Sequence, residues 1–188
     1  MPKEGHIISN AWRVKGIAAL AVLMLAACAS GRVVDGIFVD ETRGFKIPLL
    51  RDGWRQFEVE GTELAFQSES GGQVIAMFVS CEEQQPIALR ILARRLFFGI
   101  NSKQVVAQNV ISLNGTEAVH TVLTGRLKET EVMVSSYVAT DGECAYDLVY
   151  VASPDTFQDR LPEFERLVQG WVLTEKGSGL QVPSSDLR

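Results

Sequence analysis

The thiols and imidazoles of this chain are few: Cys28, Cys81 and Cys144, with His6 and His120. Ser-His-Asp or Cys-His chemistry needs an imidazole base within hydrogen-bond reach of the nucleophile. His120 lies in an alternating run, Glu117-Ala-Val-His-Thr-Val-Leu123, where a structural or solvent-facing role is expected. A zinc site asks for more nitrogen and sulfur ligands than this inventory offers, so neither a metal nor a cofactor is expected. The G-x-S-x-G elbow and phosphate-cradling glycine loops are absent.

Asp147 interrupts an otherwise apolar stretch, Ala145–Ala152. A carboxylate buried there without a partner would be costly, so it is expected to face solvent or accept hydrogen bonds near a helix N-terminus. The alternative is a catalytic acid of raised pKa working with a hydroxyl such as Ser80 or Ser135, which would make the chain a hydrolase. Asn114-Gly115-Thr116 has the form of a glycosylation acceptor, and its Asn-Gly pair is better read as a tight turn.

Lys3, Arg13 and Lys15 stand ahead of the uncharged run Gly16–Leu25, which is too short to span a bilayer and has the geometry of an export signal. The next residues, Leu25, Ala26, Ala27 and Cys28, resemble the lipobox of bacterial lipoproteins: an aliphatic residue, two small ones, then the cysteine. That resemblance implies cleavage after residue 27 and lipid on the sulfur of Cys28, with two or three acyl chains for stable anchoring. Ala29 rather than aspartate follows, which favours the outer membrane facing the periplasm. Cys81 and Cys144 then remain as an even pair, expected to be bonded in an oxidising compartment. Two buried free thiols are the alternative, because spacing along the chain cannot place their Cα atoms in range. The pair is not a C-x-x-C, which speaks against redox catalysis.

The chain has 18 basic and 23 acidic side chains, net −5, and residues 1–27 hold Lys3, Arg13 and Lys15 against Glu4 alone. The remainder is therefore more acidic still, and nucleic-acid binding is disfavoured. Residues 28–35 read as a short tether reaching at most roughly 25 Å, residues 36–173 as one domain, and the Gly/Ser/Pro-rich residues 174–188 as a disordered tail. Strands are expected over 36–40, 45–48, 56–59, 63–67 and 73–80, the last nearly all apolar and so covered on both faces. A helix should run from Pro86 to Phe98 with Leu89, Leu92 and Leu96 as its apolar stripe. Four more strands follow, 105–113, 117–126, 131–139 and 144–152, punctuated by Asn114-Gly115 and Asp141-Gly142. Ser153-Pro154 should open a final helix carrying Phe157, Leu161, Phe164, Leu167, Val168 and Trp171, with Pro162 a potential kink.

This order describes an α+β domain, a mostly antiparallel sheet with helices packed on it. The Phe45-x-Ile47-Pro48 strand, Trp54 before a hairpin, the mid-chain helix, and Tyr146-Asp-Leu-Val-Tyr-Val-Ala-Ser-Pro154 leading into a Phe-rich helix resemble the Mog/PsbP-like α/β/α sandwich. The resemblance covers about Gly36 to Leu173. That superfamily, which includes PsbP and the bacterial lipoproteins LpqN and DcrB, is known for non-catalytic work, so an accessory or binding role rather than an enzyme is implied. The expected partners are the membrane, through Cys28, and another envelope protein. Arg90, Arg94 and Arg95, with Phe97 and Phe98 beyond them, form the candidate interaction face, read against the plainer alternative of a solvated helix side. Binding of a small apolar ligand or lipid in a cleft is the alternative function.

Overall fold

The computed structural model describes residues 31–81, 88–97 and 99–176. Its strands are β1 (Gly31–Val34), β2 (Ile37–Asp40), β3 (Phe45–Pro48), β4 (Trp54–Gln56), β5 (Leu64–Ser68) and β6 (Val74–Ser80), then, after helix α1 (Leu89–Arg95), β7 (Asn101–Leu113), β8 (Thr116–Leu127), β9 (Thr130–Thr140) and β10 (Ala145–Ala152). Helix α2 (Phe157–Gly170) and β11 (Val172–Leu173) close the described chain. Every strand pairing is antiparallel, and the strands form two sheets, a four-stranded β1-β2-β3-β11 and a seven-stranded β4-β5-β6-β10-β9-β8-β7.

Turn chemistry fixes the hairpins. Asn114 and Gly115 both take positive φ, 50° and 87°, the requirement of the tight turn whose twist matches two right-twisted strands. Asp35 and Gly36, at 50° and 78°, do the same between β1 and β2. The tether read over residues 28–35 is therefore too long at its C-terminal end. Gly31–Val34 is a strand paired with β2, Arg32 opposite Val39. Val33-Val34 before Asp35-Gly36 and Ile37-Phe38 after it are the local signal of that hairpin. The tail likewise starts later than residue 174, because the Thr174 N–H donates to Gly44 at 2.8 Å and Lys176 reaches Asp141 and Glu143. Residues 177–188 lie outside the described residues.

Period-two alternation sorts the large sheet into two apolar faces. On one, Tyr146, Leu148 and Tyr150 of β10 and Ile75 and Met77 of β6 pack with Phe157, Phe164, Leu167 and Trp171 of the α2 region and with Phe45 and Ile47 of the small sheet. Its aromatic rings meet at centroid distances of 5.2–5.8 Å, Tyr150 on Phe157 and Phe45 on Tyr146 among them. On the other face, Leu89, Leu92, Ala93 and Leu96 of α1 cover Val119 and Val138. The expected stripe is thus the one that packs, with Ala93 wholly buried beside it. The helix expected from Pro86 is described from Leu89 on; residues 82–87 lie outside the described residues.

Two features of the last helix depart from expectation. Ser153 does not cap a backbone N–H: its hydroxyl pairs with that of Thr156 at 2.9 Å, and a short 3-10 turn precedes α2. Pro162 neither splits nor ends the helix. It sits on the exposed side, as does Gln158, so the carbonyl that loses its donor can be hydrated.

Candidate functional site

The register of β6 and β10, Ser80 opposite Ala145, carries the chain on to set Cys81 opposite Cys144. The two are at disulfide distance, with Cα atoms 4.1 Å apart. Beside them Asp141 accepts the N–H of Glu143 at 2.9 Å and of Cys144 at 2.7 Å, and Lys176 at 2.9 Å. Burial alone would raise its pKa. The Cys144 N–H, Lys176, the Glu143 N–H and the Tyr146 hydroxyl outweigh burial and hold the carboxyl at about 2.

His120 Nε2 lies 3.0 Å from Ser135 Oγ, and its ring stacks on Tyr137 at 4.2 Å. Burial lowers the pKa of the imidazole, against an opposing pull from Glu165. This is a nucleophile-base pair in distance only. Ser135 is 1% exposed, so no substrate reaches its hydroxyl. Asp147 is opposite Val138, one residue along β9 from Tyr137, and therefore faces the α1 side of the sheet while His120, Ser135 and Tyr137 face the α2 side. A triad of Asp147, His120 and Ser135 would have to pass through the sheet. Ser80 shares the face of Asp147, but His120 does not. Asp147 is half-buried: its Oδ1 is buried without a hydrogen-bond partner among the described residues, and burial pushes its pKa to about 7.

The face read on α1 is partly redrawn. Arg90, Arg94 and Arg95 are exposed as a set, joined by Ile91 at 48%. Phe97 is not part of it. It is 5% exposed and packs with Leu123, Val132, Val134 and Val149. The helix ends at Arg95, so a residue that helical spacing places near the arginines points to the core instead. Phe98 lies outside the described residues, as do Leu25, Ala26, Ala27 and Cys28. None of the arginines of α1 is ion-paired among the described residues.

A cleft of about 420 Å³ opens between the β3–β4 loop and α2, lined by Pro48, Leu49, Leu50 and Leu167 with Trp54, Glu163, Arg51, Asp52 and Arg166. The Trp54 indole N–H donates to Glu163, which also takes Arg160 at 3.0 and 3.1 Å, and Arg160 lies over the indole at 5.9 Å. No sequence signal joins these residues, since Trp54 and Glu163 are 109 positions apart. Among the described residues no cluster of His, Cys, Asp and Glu is placed to hold a metal ion, and no helix is long and apolar enough to cross a membrane.

No protein-family model and no curated protein sequence matches this chain. Solved structures do. The solution structure of cyanobacterial PsbP (CyanoP) from Synechocystis sp. PCC 6803 superposes with a TM-score of 0.55 at 12% identity, over 79% of this chain and 95% of that one. The fold is PsbP-like. LpqN, involved in cell envelope biogenesis of Mycobacterium tuberculosis, gives 0.56 at 14% identity, over 69% of this chain and 83% of LpqN. A Bacteroides thetaiotaomicron protein gives 0.54 at 10% identity over 77% of this chain, which spans half the length of that protein. The PsbP-like architecture agrees with the resemblance carried by Phe45, Ile47, Pro48, Trp54 and the Tyr146–Pro154 run. At these identities it is an agreement of fold.

Proposed function

We propose that this PsbP-like domain is a non-catalytic accessory protein of the bacterial cell envelope, held by lipid on Cys28, that docks an acidic patch of another envelope protein on the outward face of α1. The single observation that carries the reading is that face: Arg90, Arg94 and Arg95 around an exposed Ile91, basic in an otherwise acidic chain. An apolar centre rimmed by arginines is the composition of an interface core, where arginine is favoured over lysine. The involvement of LpqN in cell envelope biogenesis supports it, as does the non-catalytic work implied by the resemblance to the PsbP-like superfamily. The separation of Asp147 from His120 across the sheet weighs against the hydrolase reading. Ala29 after Cys28 favours the outer membrane.

The test is an in-cell crosslink with affinity capture of the full-length protein, compared with Cys28→Ser and with a charge reversal, Arg90→Glu with Arg94→Glu and Arg95→Glu. A stoichiometric partner held by the native protein and lost from both variants supports the reading. Capture unchanged by the charge reversal, or no partner at all, overturns it.

A further inference from the structure

The cleft between α2 and the β3–β4 loop lies across the large sheet from the outward face of α1 and takes no part in docking there. We propose that it binds a small amphipathic anion, an apolar body carrying one carboxylate or phosphate head group. Its volume, about 420 Å³, is that of a small-ligand site. Pro48, Leu49, Leu50 and Leu167 supply apolar wall.

The charges decide the sign of the ligand. Glu163 is satisfied by the Trp54 indole and by Arg160, which neutralises it. Arg51 and Arg166 are left as the cations of the lining, against Asp52, and among the described residues neither forms an ion pair. Two guanidiniums beside apolar walls are suited to a planar or tetrahedral oxyanion with a hydrocarbon tail.

The walls are held in place by residues that leave room. The Arg160 guanidinium occupies the space beside Gly53, where a Cβ would fall 3.0 Å from Nη1. Arg51 lays its guanidinium against Gly36, and Pro48 packs on Gly170, where a Cβ would overlap the proline ring. The Leu49 N–H donates to Gly36 at 2.8 Å, tying the loop to the small sheet. The cleft is thus preorganised, which limits the ordering cost of binding.

The test uses the full-length Cys28→Ser chain, titrated calorimetrically with octanoate, octyl phosphate and neutral 1-octanol while indole emission is followed. At least one anion should bind ten-fold or more tighter than 1-octanol and shift the emission, and the tighter of the two names the head group. The double substitution Arg51→Ala with Arg166→Ala should remove that preference while the melting temperature holds, since both side chains are surface groups. Equal affinity for 1-octanol, anion binding that survives the double substitution, or no binding of any probe overturns the proposal. None of these outcomes bears on partner capture by α1.

Discussion

The indole of Trp54, on the first strand of the large sheet, donates its N–H to the carboxylate of Glu163 in the middle of α2. The bond joins β4, an edge strand of three residues, to the helix that covers the sheet. Trp54 is 8% exposed, and Glu163 is the partner of its N–H.

Glu163→Ala should therefore cost about 1–3 kcal/mol, the range for leaving a buried donor unpaired, read from urea denaturation. Emission from Trp54 should change with it, because Arg160 loses its partner and its place over the ring. A variant with native stability and native emission would mean that the bond is not formed in solution.

Asp147 sets a dependence on pH opposite to that of most carboxylates. Its folded pKa, about 7, lies above the ordinary 3.8, so the cost of ionising it is absent below pH 4, grows between pH 4 and 7, and is complete above that. Asp147→Asn should be close to neutral at pH 4 and stabilising by ~2–4 kcal/mol at pH 8, at about 1.36 kcal/mol per unit. Denaturation midpoints of the two proteins that differ by the same amount at both pH values would refute it.

Phe97 and Arg95 stand two positions apart, the first buried and the second exposed. Phe97→Ala should cost about 3–5 kcal/mol, the range for a truncated core aromatic. Arg95→Glu should stay within about 0.5 kcal/mol of the native protein. Thermal melts of the pair decide it, and equal effects would put Phe97 back on the surface.

Cys81 and Cys144 close a loop of 63 residues between the end of β6 and the start of β10. Loss of the bond in Cys81→Ala with Cys144→Ala should cost about 4 kcal/mol in the chain-entropy model. Denaturant midpoints of the oxidised and double-substituted proteins measure it. Equal midpoints, or two titratable thiols in the native protein, would show the pair unbonded.

Much of the fold was legible locally. Asn114-Gly115 announced the β7–β8 hairpin because few residue pairs tolerate two positive φ values, and Leu89, Leu92 and Leu96 announced the buried side of α1 because helical spacing is a property of neighbours. Asp35-Gly36 carried the same kind of signal, hidden by the small residues before it. The candidate sites were legible only in part. The exposure of Arg90, Arg94 and Arg95 was legible because an exposed helix face is also periodic. Phe97 was misplaced because its direction depends on where α1 stops and on a hole formed by Leu123, Val132, Val134 and Val149.

What the residues determined unaided, then, was everything written within a few positions: turns, strand alternation, the α1 stripe, the resemblance to the PsbP-like fold and the even pair of cysteines. Tertiary structure alone decided which side chains share a face and which distant ones touch. Strand register set Asp147 on one side of the sheet and His120 on the other, and brought Cys81 to Cys144. Packing of α2 on the β3–β4 loop assembled Trp54, Glu163, Arg51 and Arg166 around one cleft. Those relationships join residues tens of positions apart, and their energies come from burial and pairing that exist only once the sheet has closed beneath the helices.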